Sequence, residues 1–357
     1  GALSHGLLLA AGVLRVPLAL AGGGIAARRD TAPVDVADIA PPLAALAGLD
    51  WRSEGAVGRG VDLLAGQAAP GRVRIAESLY GHHRYGWAQL SGAIWDSATL
   101  VEAGGTRVFW LPEQPFGEDL PGVLGPPQDR EEDLGAMRAA ISRYKSREAA
   151  DLMDSGGDAG AYGAGGYGAG GYGAGGEVVP FLPQAENVRL PDPYRFVANA
   201  DLLNVIAART TAARANRDEA ALDQLARELR RLARADPRNR EAAFRTGRVQ
   251  QALAELAPSP AEVRSRLEAA EKAYGRAWEL GRRDAGTLIA FCGVNAGGRE
   301  AEALARLEAL GGALRPWTCQ IWLLAAKLRQ ATGDEAGFQK ACEAAKEACR
   351  GPRAQAR

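Results

Sequence analysis

AEKAYGRAWEL, residues 270–280, decides how this chain is read. Ala270, Tyr274, Ala277 and Leu280 fall at spacings of four, three and three, which is one face of an α-helix. Two alanines beside a tyrosine let a second helix approach closely while the ring fills the gap that remains. ALARLEAL at 303–310 has the same form, with Ala303, Leu307 and Leu310 on one face. Working outward, Ala and Leu recur at three- and four-residue spacing, punctuated by Pro and Gly. The pattern predicts helices near 196–215, 219–235, 239–257, 261–281, 285–296, 299–312, 317–331 and 335–350. Their short connections force consecutive helices to run antiparallel, so the expected fold class is mainly α, built from stacked helical hairpins.

An internal period strengthens this reading. Gly298 and Gly333 lie 35 residues apart, each ending a first helix just before an Ala-rich second one. Upstream, Leu229, Leu232, Ala235 and Asp236-Pro237 end another second helix, and Gly247 falls where a small first-helix residue belongs. Trp322 takes the large first-helix position of the last unit. On these residues the segment 196–350 resembles the tetratricopeptide repeat, a helical hairpin with a period of about 34 residues. It departs from the family pattern between Ala257 and Glu262, where Pro258 and Pro260 insert a loop. The resemblance implies an α-α superhelix whose first helices line a concave groove. In that register Phe244, Arg248, Gln251, Asn295, Gln320, Lys327 and Gln330 face the groove. Such a lining suits a protein or peptide partner, with Arg248 or Lys327 pairing a carboxylate. The full Lys, Asn and Arg set with which some family members clamp a terminal carboxylate is missing.

The rest of the chain is organised differently. Residues 155–176, which contain YGAGG three times over, read as a flexible Gly/Tyr-rich linker, because glycine at that density buries too little to offset ordering. Its 22 residues span roughly 26 Å as a random coil, which allows the flanking units to tumble partly independently. Segment 177–195 connects the linker to the helices, and 351–357 is a tail. Residues 30–154 form an N-terminal mixed region, α or α+β, with a helix expected from Val73 to about Trp95, a strand at Thr106–Leu111 and a helix ending near Met153. Along that last helix Leu134, Met137, Ile141 and Tyr144 make a seam that favours packing within the chain over a coiled-coil dimer.

Residues 1–29 hold an apolar segment, Leu7 to Ala27, interrupted by Arg15 and Pro17 and followed by Arg28 and Arg29. A membrane helix, a targeting remnant and a segment buried in the first domain are the three readings it admits. As a membrane helix it would place residue 30 onward on the cytoplasmic side.

Lys+Arg and Asp+Glu both total 43, so no overall positive field draws the protein to nucleic acid, and none is expected as a partner. The Arg227, Arg230, Arg231 and Arg234 cluster includes Glu228 and has no interleaved aromatic residue, which reads as a solvated face. Cys292, Cys319, Cys342 and Cys349 lack C-x-x-C spacing and read first as buried thiols, second as disulfides in an oxidising compartment. Cys342 and Cys349 are about 10 Å apart by helix rise, too far to pair with each other. No phosphate-loop motif occurs, and a metal site at His82-His83 would need a third ligand from His5 or an unidentified carboxylate, so no cofactor is expected.

These features point to a non-enzymatic protein–protein interaction scaffold, membrane-associated or exported, with possible membrane contact through residues 7–27. Two other readings stay open. One is a structural subunit of a large membrane assembly. The other is an enzyme whose site lies in residues 30–150 at His82 or His83, with the repeats as a docking arm.

Overall fold

The computed structural model describes residues 7–9, 14, 17–22, 25–29, 32, 34–49, 60–65, 72–95, 98–104, 106–110, 131–154, 190–294, 298–314 and 317–350. The expected linker at 155–176, the greater part of segment 177–195, and the tail lie outside them. The described residues are mainly helical, with one small sheet.

The sheet is an antiparallel meander of β1 (Arg74–Ser78), β2 (Leu90–Trp95), β3 (Ala98–Ala103) and β4 (Thr106–Trp110), in the order β1-β2-β3-β4. Successive side chains of a strand point to opposite faces, and β3 uses both. Leu100 packs with Ala93, Leu134, Met137 and Ile141, whereas Val101 packs with Leu90, Ala103 and Leu9. The first face is covered by a long helix, Glu131–Asp154, so its apolar seam does pack within the chain. The second face is covered by the N-terminal segment and Tyr194.

Among the described residues, α1 (Ala40–Leu46) and α2 (Tyr80–Tyr85) precede that long one. The helix expected across Val73–Trp95 is therefore corrected to strand, short helix, strand. Gly86 ends α2 with φ 82°, a left-handed conformation that costs glycine little.

With Glu131–Asp154 as α3, the array follows as α4 (Pro193–Ala215), α5 (Glu219–Ala235), α6 (Arg240–Ala254), α7 (Pro260–Glu279), α8 (Ala285–Gly293), α9 (Glu300–Gly311), α10 (Cys319–Ala331) and α11 (Glu335–Arg350). Side-chain caps start most of them: Asp192, Asp218, Asn239, Ser259 and Asp284 each accept a backbone N–H of the first turn. Consecutive helices pack on one another, most extensively α6 on α7 and α10 on α11. At the α6–α7 crossing Gly247 lies under the ring of Tyr274, and a β-carbon there would stand 2.5 Å from the ring. Ala270, Tyr274, Ala277 and Ala303 are all buried, and Trp322 is half-buried against Trp317 at 4.6 Å between ring centroids.

Two of the N-terminal apolar residues are used as core, whereas Leu18 is exposed. Leu7 is buried with Tyr85 and Trp87 among α4, α5 and α6, and Leu9 against the sheet. Among the described residues no helix is long and apolar enough to cross a membrane.

Candidate interaction surfaces

Leu7, Tyr85 and Trp87 of the N-terminal region share a core with α4, α5 and α6. Trp87 stacks on Tyr85 at 4.4 Å between ring centroids and lies beside Phe196 of α4. Its indole N–H donates to Asp236 Oδ2 at 2.9 Å, and Asn239 Nδ2 donates to the same oxygen at 2.9 Å. Asn239 Oδ1 meanwhile caps α6, so one turn, Asp236 to Asn239, both starts a helix and receives the N-terminal unit. Burial raises the Asp236 carboxyl above its usual range, against the pull of these two donors. The close approach is visible at Gly86, where a β-carbon would meet the Arg238 carbonyl oxygen at 3.0 Å.

Next to it, Glu241 is 1% exposed and pairs with three guanidiniums: Arg84 of α2 at 2.9 Å, Arg245 at 2.7 Å, and Arg282. Asp284 takes the other side of Arg282 at 3.0 Å. A buried carboxylate with this many partners holds geometry more than it adds stability, and removal of one partner is costly. Arg240 donates to the Gly281 carbonyl at 3.0 Å, and burial beside Arg282 lowers its pKa to about 10.

His82 belongs to the same seam. Its Nδ1 lies 2.9 Å from the Trp87 carbonyl oxygen, which can only accept, so the neutral ring carries its proton on Nδ1. Burial, with Arg240 and His83 nearby, pulls its pKa down to about 4 despite that hydrogen bond. His83 is exposed, and its ring lies edge-on to that of His82 at 5.7 Å between centroids. Among the described residues no group of His, Cys, Asp or Glu is arranged to hold a metal.

The residues expected in a groove fall into three sets. Phe244 is corrected to a core residue: it is 9% exposed, 5.5 Å from Tyr274, and covered by the Arg282 guanidinium at 3.9 Å from its centroid. Counting along α6 alone gives no sign of Arg282, which arrives from the turn after α7. Arg248 and Gln251 are brought together on α6. The Tyr274 hydroxyl donates to Gln251 Oε1 at 2.9 Å, and burial pushes the phenol up to about 12 against the opposing pull of Arg248. Gln320, Lys327 and Gln330 share one exposed stripe of α10 with Leu323, which is 53% exposed. Asn295 lies outside the described residues.

The cysteines correct the first reading in part. Cys319 and Cys349 form a disulfide with Cα atoms 5.0 Å apart, joining the start of α10 to the end of α11. Cys292 and Cys342 are free, and burial raises the Cys292 thiol to about 12.

No family model matches the chain, and a search of curated proteins finds no match either.

Proposed function

We propose that the protein is a non-enzymatic interaction scaffold whose helices α4 to α11 stack as a tetratricopeptide-like superhelix and bind an extended peptide along the first helices. The observation that carries this reading is the α6–α7 crossing, where Gly247 admits the Tyr274 ring as the repeat register requires. That crossing leaves Arg248 exposed beside Gln251, and the α10 stripe adds Gln320, Lys327 and Gln330. Amide side chains suit the backbone of an extended peptide, and the two cations suit its carboxylates. The Cys319–Cys349 disulfide supports an exported or otherwise oxidising setting, since reducing compartments keep such thiols open.

Arg248→Glu combined with Lys327→Glu tests the groove. Native pulldown with mass spectrometry should show stoichiometric partners of the wild-type chain reduced by about tenfold or more with the double variant, because reversed charges repel the same carboxylates. The circular dichroism spectrum should not change. Partners retained at unchanged affinity would move the working surface elsewhere.

A further inference from the structure

Several arginines of the helical array are held in ion pairs. Arg209 pairs with Glu228, Arg214 with Glu255, Arg245 and Arg282 with Glu241, Arg306 with Glu271, and Arg329 with Glu308. Four on α5 are not. Arg227, Arg230, Arg231 and Arg234 are exposed, and none has an ion pair or hydrogen bond among the described residues. At about 100° per residue they occupy roughly 100° of the helix circumference, opposite the buried Leu222, Leu225, Ala226 and Leu229. In a chain of zero net charge, this is a local concentration of positive charge.

An apolar depression adjoins it. Between α4 and α5 lies an open cavity of about 310 Å³ lined by Asn199, Leu202, Glu228, Arg231, Leu232 and Ala235. Leu202 is 38% exposed, and Val205, one turn on along α4, is 44% exposed. Arg231 belongs to both features, so the basic stripe forms one rim of the depression. The only acid in the lining, Glu228, is already held by Arg209 at 3.2 Å and by Gln224 at 3.1 Å. The rim is therefore left with net positive charge.

We propose that the α4–α5 face is a docking site for an acidic amphipathic peptide, which seats an apolar side chain in the depression and lays its carboxylates along the four arginines. The charge of the rim selects acidic residues, because guanidiniums pair carboxylates bidentately. The depression selects an apolar anchor beside them, as helix-in-groove recognition does. A nucleic acid would also meet the positive charge, but no aromatic residue lines the depression to stack a base. This face is separate from the groove residues on α6 and α10, so it stands or falls independently of them.

The test is selection of displayed random peptides of about 14 residues, four helical turns, on the full-length chain. Binders are then titrated against the wild type, Arg227→Glu/Arg231→Glu/Arg234→Glu and Leu202→Gln. All of these positions are exposed, and circular dichroism and thermal melting verify the fold. The expected result is enrichment of Asp and Glu beside Leu, Ile or Phe at helical spacing, with affinity reduced roughly tenfold or more by the triple variant and severalfold by Leu202→Gln. Enriched peptides without acidic residues would overturn the proposal, as would equal binding to the triple variant or indifference to Leu202→Gln. So would tighter binding of a single-stranded oligonucleotide than of any selected peptide, or arginine-dependent self-association of the chain with no acidic peptide enriched.

Discussion

The helical array is closed in different ways at its two ends. At the front, α4 to α6 are covered by a second folded unit, and the joint is a buried network of Trp87, Asp236, Asn239, Arg84 and Glu241. At the rear, a covalent bond between Cys319 and Cys349 holds the hairpin of α10 and α11. A stacked array has unsatisfied apolar faces at its ends and needs something to finish them. The front end commits buried charged groups to specific partners; the rear end limits the freedom of the unfolded chain instead. The first solution depends on pH and on packing, the second on redox conditions.

The front joint is the place to break the molecule hardest. Trp87→Ala removes a fully buried indole, which by itself costs about 3–5 kcal/mol, and it also strips Asp236 of a donor in a buried setting. Urea unfolding should show that loss, and the array and the sheet unit should begin to unfold in separate transitions. A single transition moved by less than about 1 kcal/mol would mean that the two units do not rely on each other.

The rear end should respond next. Cys319→Ser with Cys349→Ser opens a loop of sequence separation 30, and chain entropy puts the cost at about 3–4 kcal/mol. Hydrogen exchange should rise in α10 and α11 and stay unchanged around Trp87. Equal loosening at both ends would show that the array transmits strain along its whole length.

What the sequence disclosed follows the same division. The helices of the array are legible to within about three residues at each end because most carry an amphipathic period and a side-chain cap, as Asp218 does for α5 and Asp284 does for α8. Residues 73–95 read as one helix because three short elements fit inside one window of periodicity, and Gly86 marks only the end of the second. The joint was illegible for a different reason. Trp87 and Asp236 are 149 residues apart, and no local rule connects them. Phe244 shows the same failure on a smaller scale: its helical phase pointed to a groove, and a guanidinium from another element covers it. Cys349 is too far from Cys342 on its own helix, and its partner lies on the antiparallel neighbour.

Between the two ends, packing should set the size of the effect. Ala303 is buried in the core shared by Leu307, Trp317 and Ile321, so Ala303→Leu overpacks it and should cost about 1–3 kcal/mol in thermal or urea unfolding. An unchanged melting temperature would remove Ala303 from the helix contact. The change should leave the Trp87 joint intact, since that joint belongs to a different core.

Acid should act on the front end through opposing groups. The His82 ring takes a proton near pH 4 in the folded protein, against 6.5 for an unperturbed histidine. Between those values the unfolded chain binds more protons than the folded one, so stability present above pH 6.5 is lost as pH falls toward 4. Asp236 runs the other way. Its raised pKa makes the folded state the better proton acceptor above the usual value of 3.8, so acidification through that window favours folding. His82→Asn separates the two, because an amide N–H can still reach the Trp87 carbonyl while Asp236 is untouched in both proteins. The difference in stability between wild type and variant should shift against the wild type from pH 6.5 to 4, on the order of 1 kcal/mol after discounting for the ring's partial exposure. Parallel curves would mean that His82 stays outside the titration of the joint, and the acid response would then belong to Asp236.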